Sequence, residues 1–330
     1  MTAPHALKIF VDLKLSPPAL ALLRERTAGH HLLFARAPAA SNLSPAPSGD
    51  PAFAAADVAF GQPDPAMALA SERLRWMHIS SSGITRYDTP EFRAALARKK
   101  ILFTHSPSVY AEPCADHILS FMLAQSRLLP RALATRAPGG TPDWLALRVG
   151  AVPLRGSHAV IVGFGAIARR LVERLKPWHM AIAAYRRRVR GDEGVPGLPA
   201  ARLDAALGAA DHVINILPDS AETRGFFSAA RFAAMKPGAV YYNIGRGATT
   251  DQDALLAALR SGRLSAAWLD VTDPEPLPDD HPLWIQPNCH ITPHIAGGHA
   301  GESESLVRHF LDNLRRFLAG EPLLDQPFGL

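Results

Sequence analysis

Residues 159–171 read AVIVGFGAIARRL, an apolar run that reaches Val162, turns through Gly163-Phe164-Gly165-Ala166-Ile167-Ala168, and continues at helical spacing from Ile167 to Leu175. A buried strand that turns over two glycines into a helix is the phosphate-binding corner of a dinucleotide fold. Gly163 permits the tight turn, Gly165 lets the backbone approach a pyrophosphate, and Ala168 stands where a small residue keeps the helix close to the sheet. The free N–H groups and dipole at the start of that helix, around Ala166 and Ile167, attract the anion. The G-x-G-x-x-A pattern alone also occurs in turns that serve packing only. Here the strand before it and the helical period after it select the nucleotide reading.

Working outward, the N-terminal hundred residues alternate strand and helix signals. A strand is expected at Leu7–Leu13, then a helix at Pro17–Thr27 with Ser16 as N-cap and Gly29 as stop, a strand at Arg75–Ser80, a helix at Pro90–Arg98 and a strand at Ile101–Thr104. A Pro/Ala/Ser-rich stretch at 37–52 reads as a loop, and Glu112–Leu129 as a long helix leading into the Gly163 unit. Beyond it, strands are expected at Met180–Tyr185, His212–Leu217, Ala239–Ile244, Ser265–Val271 and Cys289–Thr292, with a helix at Asp251–Ser261 and a last one at Glu302–Ala319 stopped by Gly320. Strands that alternate with helices imply parallel sheets. Because the phosphate turn lies mid-chain, the expected arrangement is a dinucleotide-binding domain over 107–294, inserted in a second domain made from 1–106 and 295–330. The junctions near Pro107 and His294 are suited to a hinge.

The bulk numbers fit an ordinary globular protein: 330 residues, 48% hydrophobic, 20% charged. No apolar run approaches the ~18 residues of a membrane span, and Lys8 and Asp12 interrupt the apolar N-terminal segment, unlike a secretory signal. A cytoplasmic protein without a membrane partner is expected. Cys114 and Cys289, each in an apolar segment, read as buried reduced thiols. The formal charge of +5 comes from arginines scattered along the chain with few aromatics among them, which suits small anionic ligands better than nucleic acid. His290 and His294 have an H-x-x-x-H spacing, but on a strand end interrupted by Pro293 such side chains do not converge, so no metal is expected.

In an open parallel sheet, ligands bind beyond the carboxyl ends of the strands. Three loops at such ends carry ionisable residues: Gly245-Arg246-Gly247 after Tyr241–Ile244, Asp273-Pro274-Glu275-Pro276 after Trp268–Val271, and His294 after Ile291-Thr292-Pro293. An arginine between glycines offers a fork of donors on a loop that approaches a carboxylate closely. Singly, Arg246 is a surface arginine, His294 a structural histidine and Glu275 a solvated charge. Together beside a nucleotide turn they make an anion clamp, a general acid/base and its orienting carboxylate.

These segments resemble the D-isomer-specific 2-hydroxyacid dehydrogenase family. The resemblance is carried by Gly163–Ala168, Met235–Ala239 through Asn243–Gly247, Asp270 through Glu275–Pro278 to His281–Trp284, and Thr292–Gly297, with Leu217-Pro218, Thr223 and Ala111–His117 in addition. It spans roughly 75 to 320; residues 1–70 contribute only their rhythm. It implies two Rossmann-like α/β domains with parallel sheets, the nucleotide domain inserted in a flavodoxin-like substrate domain. Arg246 would hold the substrate carboxylate and carbonyl, Glu275 would pair with His294, and His294 would exchange the substrate proton and face the cofactor. The turn at Ser81, Ser82, Gly83 and Ile84 matches the family's backbone carboxylate site, Asp270 the residue that holds the nicotinamide amide, and Ile244 and Gly245 the cofactor wall. The implied activity is reduction of a small 2-keto acid, of the glyoxylate or hydroxypyruvate kind, by a homodimer. Tyr110 and Trp284 are candidate walls of the substrate pocket or packing residues.

One departure from the family pattern bears on the cofactor. NAD-binding relatives place an acid at the end of the second strand of the nucleotide domain, whereas this chain has Arg186-Arg187-Arg188 there. A carboxylate bonds the ribose 2′-hydroxyl; Arg186 and Arg187 suit a 2′-phosphate, so NADP is expected, with NAD as the alternative. Two rival functions share the fold. A formate dehydrogenase has glutamine where Glu275 stands, and a dinucleotide-sensing corepressor needs partner-binding extensions that this compact sequence lacks.

Overall fold

A computed structural model of the chain describes residues 6–39, 49–136 and 138–328. Its strands are β1 (Lys8–Leu13), β2 (His31–Ala39), β3 (Val58–Gly61), β4 (Trp76–Ile79), β5 (Leu102–Thr104), β6 (His158–Val162), β7 (Ala181–Tyr185), β8 (Gly197–Leu198), β9 (His212–Asn215), β10 (Ala239–Asn243), β11 (Leu264–Leu269) and β12 (Cys289–Ile291). Its helices are α1 (Pro17–Arg26), α2 (Pro65–Ala70), α3 (Pro90–Lys99), α4 (Pro107–Ser126), α5 (Leu129–Ala134), α6 (Pro142–Gly150), α7 (Ala166–Leu175), α8 (Ala200–Leu207), α9 (Ala229–Ala234), α10 (Gln252–Arg260) and α11 (Glu302–Ala319). They divide into two units, Met1–Tyr110 with His299–Leu330, and Ala111–Gly298.

The first unit holds a five-stranded parallel sheet in the order β2-β1-β3-β4-β5, the flavodoxin-like order. Three of its helices, α1, α2 and α3, start where the sequence provides both a cap and a proline: Ser16, Asp64 and Thr89 accept backbone N–H bonds ahead of Pro17, Pro65 and Pro90. Phe10, Phe53, Met77, Tyr87, Phe92 and Phe103 fill the core. Helix α11 ends where Gly320 takes the left-handed conformation at φ 67°.

The second unit holds a seven-stranded parallel sheet in the order β12-β11-β10-β9-β6-β7-β8. Read from β6, this is the doubly wound order of a dinucleotide domain, extended by β12, with its switch point between β6 and β9. Beneath the carboxyl ends lies a core that includes Val162, Val213, Phe227, Tyr241, Leu255 and Leu269. Cys114 and Cys289 are free and buried, and burial pushes each thiol up to about 12, so neither is a nucleophile at neutral pH. No helix among the described residues is long and apolar enough to cross a membrane.

Three local expectations need correction. The 37–52 stretch is not a simple loop: 37–39 close β2, Pro51–Ala55 form a 3-10 helix capped by Asp50, and 40–48 lie outside the described residues. Strand β2 went unread because it is an edge strand, exposed along much of its length, and shows no period-two alternation. The helix expected at 112–129 starts earlier, at Pro107, and stops at Ser126, with Leu128 in the left-handed region at φ 53° before α5 begins.

At the end of β1, Asp12 is 1% exposed. Its Oδ1 accepts the Gln62 N–H at 2.6 Å, and its Oδ2 has no donor. Gly61, at φ 141°, must be glycine: a Cβ there would stand 1.6 Å from Asp12 Oδ1. Burial raises this carboxyl from 3.8 to about 7, against the opposing N–H of Gln62 and charge of Arg86. The folded chain thus keeps a proton that the unfolded chain releases above pH 4, so stability falls as pH rises from about 4 to 7. At about 1.36 kcal/mol per pH unit the ceiling is roughly 4 kcal/mol. Asp12→Asn keeps the acceptor and removes the titration. Its Tm advantage over the parent is expected to be larger at pH 8 than at pH 5; an equal difference at both would contradict this.

Candidate active site

The nucleotide corner is built as its residues require. Gly163 has φ 98°, and a Cβ on it would meet the Ile216 carbonyl at 2.7 Å, so the β6 end and the chain after β9 approach too closely for any side chain. Gly165, by contrast, faces open space, and α7 begins beside it with no side-chain cap. An uncapped helix start with room in front of it fits a phosphate. Leu217 and Ile244, which are 6% and 5% exposed, sit on the loops after β9 and β10 at this end of the sheet. Thr223 is engaged in its own turn, its hydroxyl donating to the Pro218 carbonyl at 2.6 Å and accepting the Ser220 N–H at 2.9 Å.

Arg246 follows β10. Its neighbouring glycines are explained by close backbone approach: a Cβ on Gly245 would lie 2.5 Å from the Leu217 carbonyl oxygen, and one on Gly247 would lie 1.9 Å from that of Thr272. The expectation that these glycines serve approach to a ligand is therefore incomplete, since the protein's own backbone already demands them. The guanidinium is partly buried and donates to the Gly245 carbonyl at 2.6 Å. Burial lowers its pKa from the ordinary value, and the charge of Glu275 opposes this most strongly. It stays cationic, with further donors available.

Under this loop lies a buried polar network that sequence reasoning missed. Asn215 donates to the Tyr241 hydroxyl at 2.8 Å and to Thr249 at 2.7 Å, and its Oδ1 accepts the Leu217 N–H at 3.1 Å. Asn243 accepts the Gly245 N–H at 2.9 Å and donates to the Arg246 carbonyl at 3.2 Å, a carbonyl that Thr249 also bonds at 2.6 Å. The network fixes the backbone on both sides of the guanidinium. The readable signal was that β9 and β10, buried throughout, each end in asparagine.

Glu275 and His294 meet, Glu275 Oε1 accepting from His294 Nδ1. His294 has φ 50°, a left-handed conformation unfavourable for a residue with a side chain. It is held there by its N–H bonds to the carbonyls of Asp270 at 2.9 Å and Thr292 at 3.0 Å. Asp270, 2% exposed, anchors the same loop. Its Oδ1 accepts the Thr292 hydroxyl at 2.6 Å and the Ile295 N–H at 2.9 Å, and its Oδ2 accepts the Ala296 N–H at 2.9 Å. With Nδ1 on a carboxylate, Nε2 of His294 is the nitrogen left to exchange a proton.

Residues 119–296 match the family described as D-isomer specific 2-hydroxyacid dehydrogenase, NAD binding domain. Glyoxylate/hydroxypyruvate reductase B of Citrobacter koseri is 34% identical over 278 residues, covering 82% of this chain and 84% of that protein. The chain belongs to the D-isomer specific 2-hydroxyacid dehydrogenase family. Among solved structures, the NADPH-dependent glyoxylate/hydroxypyruvate reductase of Sinorhizobium meliloti, in complex with NADP and malonate, is 26% identical with a TM-score of 0.72, covering 98% of both chains. The holo form of D-mandelate dehydrogenase from Rhodotorula graminis, 21% identical, shares the fold with a TM-score of 0.80 over 98% of both chains.

The other sequence-predicted residues of this dehydrogenase are placed as follows. Arg186 and Arg187 follow β7; the Arg186 side chain is 15% exposed and that of Arg187 79%. In the first unit, the turn after β4 is braced by Ser81 Oγ donating to the Gly83 carbonyl at 2.7 Å and by Nδ1 of His105 at 2.9 Å from the Ser82 carbonyl. Among the described residues, the N–H groups of Ser82, Gly83 and Ile84 donate to no protein acceptor. Tyr110 donates to the Ser80 carbonyl at 2.9 Å, and Trp284, 46% exposed, to that of Pro278 at 3.0 Å.

Proposed function

We propose that this dehydrogenase reduces a short 2-keto acid to the D-2-hydroxy acid with NADPH. The observation that carries the reading is the Glu275–His294 pair, with His294 held in a strained backbone conformation at the same strand ends as a cationic Arg246. Arg246 binds the substrate carboxylate and stabilises charge that develops on the carbonyl oxygen. His294 delivers the proton to that oxygen through Nε2, and Glu275 holds the imidazole in the orientation and tautomer that make this possible. When bound, the nicotinamide supplies the hydride, and the uncapped start of α7 with Gly165 suits its pyrophosphate. The free N–H groups at Ser82–Ile84 are assigned to a carboxylate on their chemistry. Arg186 and Arg187 favour a 2′-phosphate, and the relatives support both halves of the reading by name: a glyoxylate/hydroxypyruvate reductase, and one that is NADPH-dependent.

A homodimer is proposed as well, supported by exposed apolar side chains concentrated on and beside α5 and α6: Leu129, Leu133, Leu145, Val149 and Val152. The activity is tested by mixing purified protein with NADPH and either glyoxylate or hydroxypyruvate. Oxidation of NADPH is expected, with D-glycerate as the product from hydroxypyruvate. Cofactor binding without turnover of any 2-keto acid would mark a sensing protein instead.

A further inference from the structure

The segment after β7 runs Arg186-Arg187-Arg188-Val189-Arg190-Gly191-Asp192-Glu193 and turns back on itself through Gly191 and Gly194, at φ 77° and 69°. Its acidic end meets its basic start. Arg186 Nη1 lies 3.2 Å from Asp192 Oδ1 and 3.3 Å from Glu193 Oε1, and Glu193 also accepts the Arg190 N–H at 2.9 Å. A second arginine, from α7, joins them. Arg169 Nη2 donates to Asp192 Oδ2 at 2.6 Å and its Nη1 to the Asp192 carbonyl at 2.6 Å. The two guanidiniums also flank one ring, Arg169 at 5.2 Å and Arg186 at 5.9 Å from the centroid of Phe164, inside the nucleotide turn. Asp192 is thus a carboxylate bridging two arginines beside the phosphate corner, with one oxygen on each, and its side chain is half exposed. The Arg169 bond, first of all, lowers its pKa, so it is ionised at neutral pH.

Two guanidiniums share the half-exposed Asp192 carboxylate, with the buried Glu193 also on Arg186, at the strand end where the adenosine ribose binds in this fold, an arrangement whose donors suit a phosphate in the place of Asp192. We propose that Arg169 is a ligand of the cofactor 2′-phosphate together with Arg186, and that Asp192 is an internal anion which the phosphate replaces. The inference rests on the NADPH reading above. It follows that Asp192 weakens NADPH binding by competition, and that Arg169 discriminates NADPH from NADH although it lies outside the arginine triplet. A dianionic phosphate exceeds a carboxylate in charge and in acceptor atoms, which favours the exchange.

The test is equilibrium binding, by calorimetry, of adenosine 2′,5′-bisphosphate and of 5′-AMP to the parent, Arg169→Ala, Asp192→Asn and the double variant. The parent is expected to prefer the bisphosphate. Arg169→Ala should weaken the bisphosphate about tenfold and leave 5′-AMP unchanged, a charge-assisted bond at a partly exposed site being worth about that much. Asp192→Asn should tighten the bisphosphate about threefold, and less so in the Arg169→Ala background, because the two residues act on one site. Equal weakening of both ligands by Arg169→Ala, or unchanged bisphosphate binding in Asp192→Asn, would overturn the proposal while leaving the NADPH reading intact. A parent that binds the two ligands equally would overturn both.

Discussion

Arg246→Ala is expected to lower kcat/KM for 2-keto acids at least about a hundredfold, or roughly 2.7 kcal/mol of transition-state stabilisation. On the proposed mechanism, alanine removes the cation that would meet both the substrate carboxylate and the developing oxyanion. The loop itself should survive, because its backbone is held by Asn243 and Thr249 rather than by the guanidinium. Cofactor affinity should therefore change little, and steady-state kinetics with a fluorescence titration of NADPH separates the two. Normal turnover by Arg246→Ala would place the anion clamp elsewhere.

His294→Gln is expected to cost kcat about a hundred- to ten-thousandfold, the usual range for loss of a positioned general acid, while KM changes less. Glutamine keeps polarity at the position but has no proton to exchange. Glu275→Gln should give an intermediate loss: its carbonyl oxygen still accepts the Nδ1–H, but the charge that stabilises the imidazolium is gone. If Glu275→Gln were as active as the parent, the pair seen in the structure would be an incidental contact. If His294→Gln retained kcat, the proton would have to come from water or another group.

Much of this was legible in the sequence, and the reasons are specific. The Gly163 corner could be read because three requirements coincide within ten residues: a buried strand, a left-handed glycine and a helix start. The placement of Arg246, Glu275 and His294 at one edge could be read because parallel strands deliver their following loops to one edge of the sheet. What could not be read depends on three-dimensional contact. The glycines beside Arg246 are dictated by the backbones of Leu217 and Thr272, which are distant in sequence. Asp270 is needed to hold the loop of His294, a job that no spacing announces. Asp192 lies six residues beyond Arg186, past Gly191, and only the fold-back of the chain shows that it bridges two arginines.

We propose that the enzyme uses NADPH because Arg186 and Arg187 occupy the place of the acid that would select NADH. The most direct measurement is kcat/KM for NADPH and for NADH, at saturating hydroxypyruvate and fixed ionic strength. A charge-assisted pair of about 1.5–3 kcal/mol predicts a ten- to hundredfold preference for NADPH. Equal use of the two cofactors, or a preference for NADH, would contradict the account.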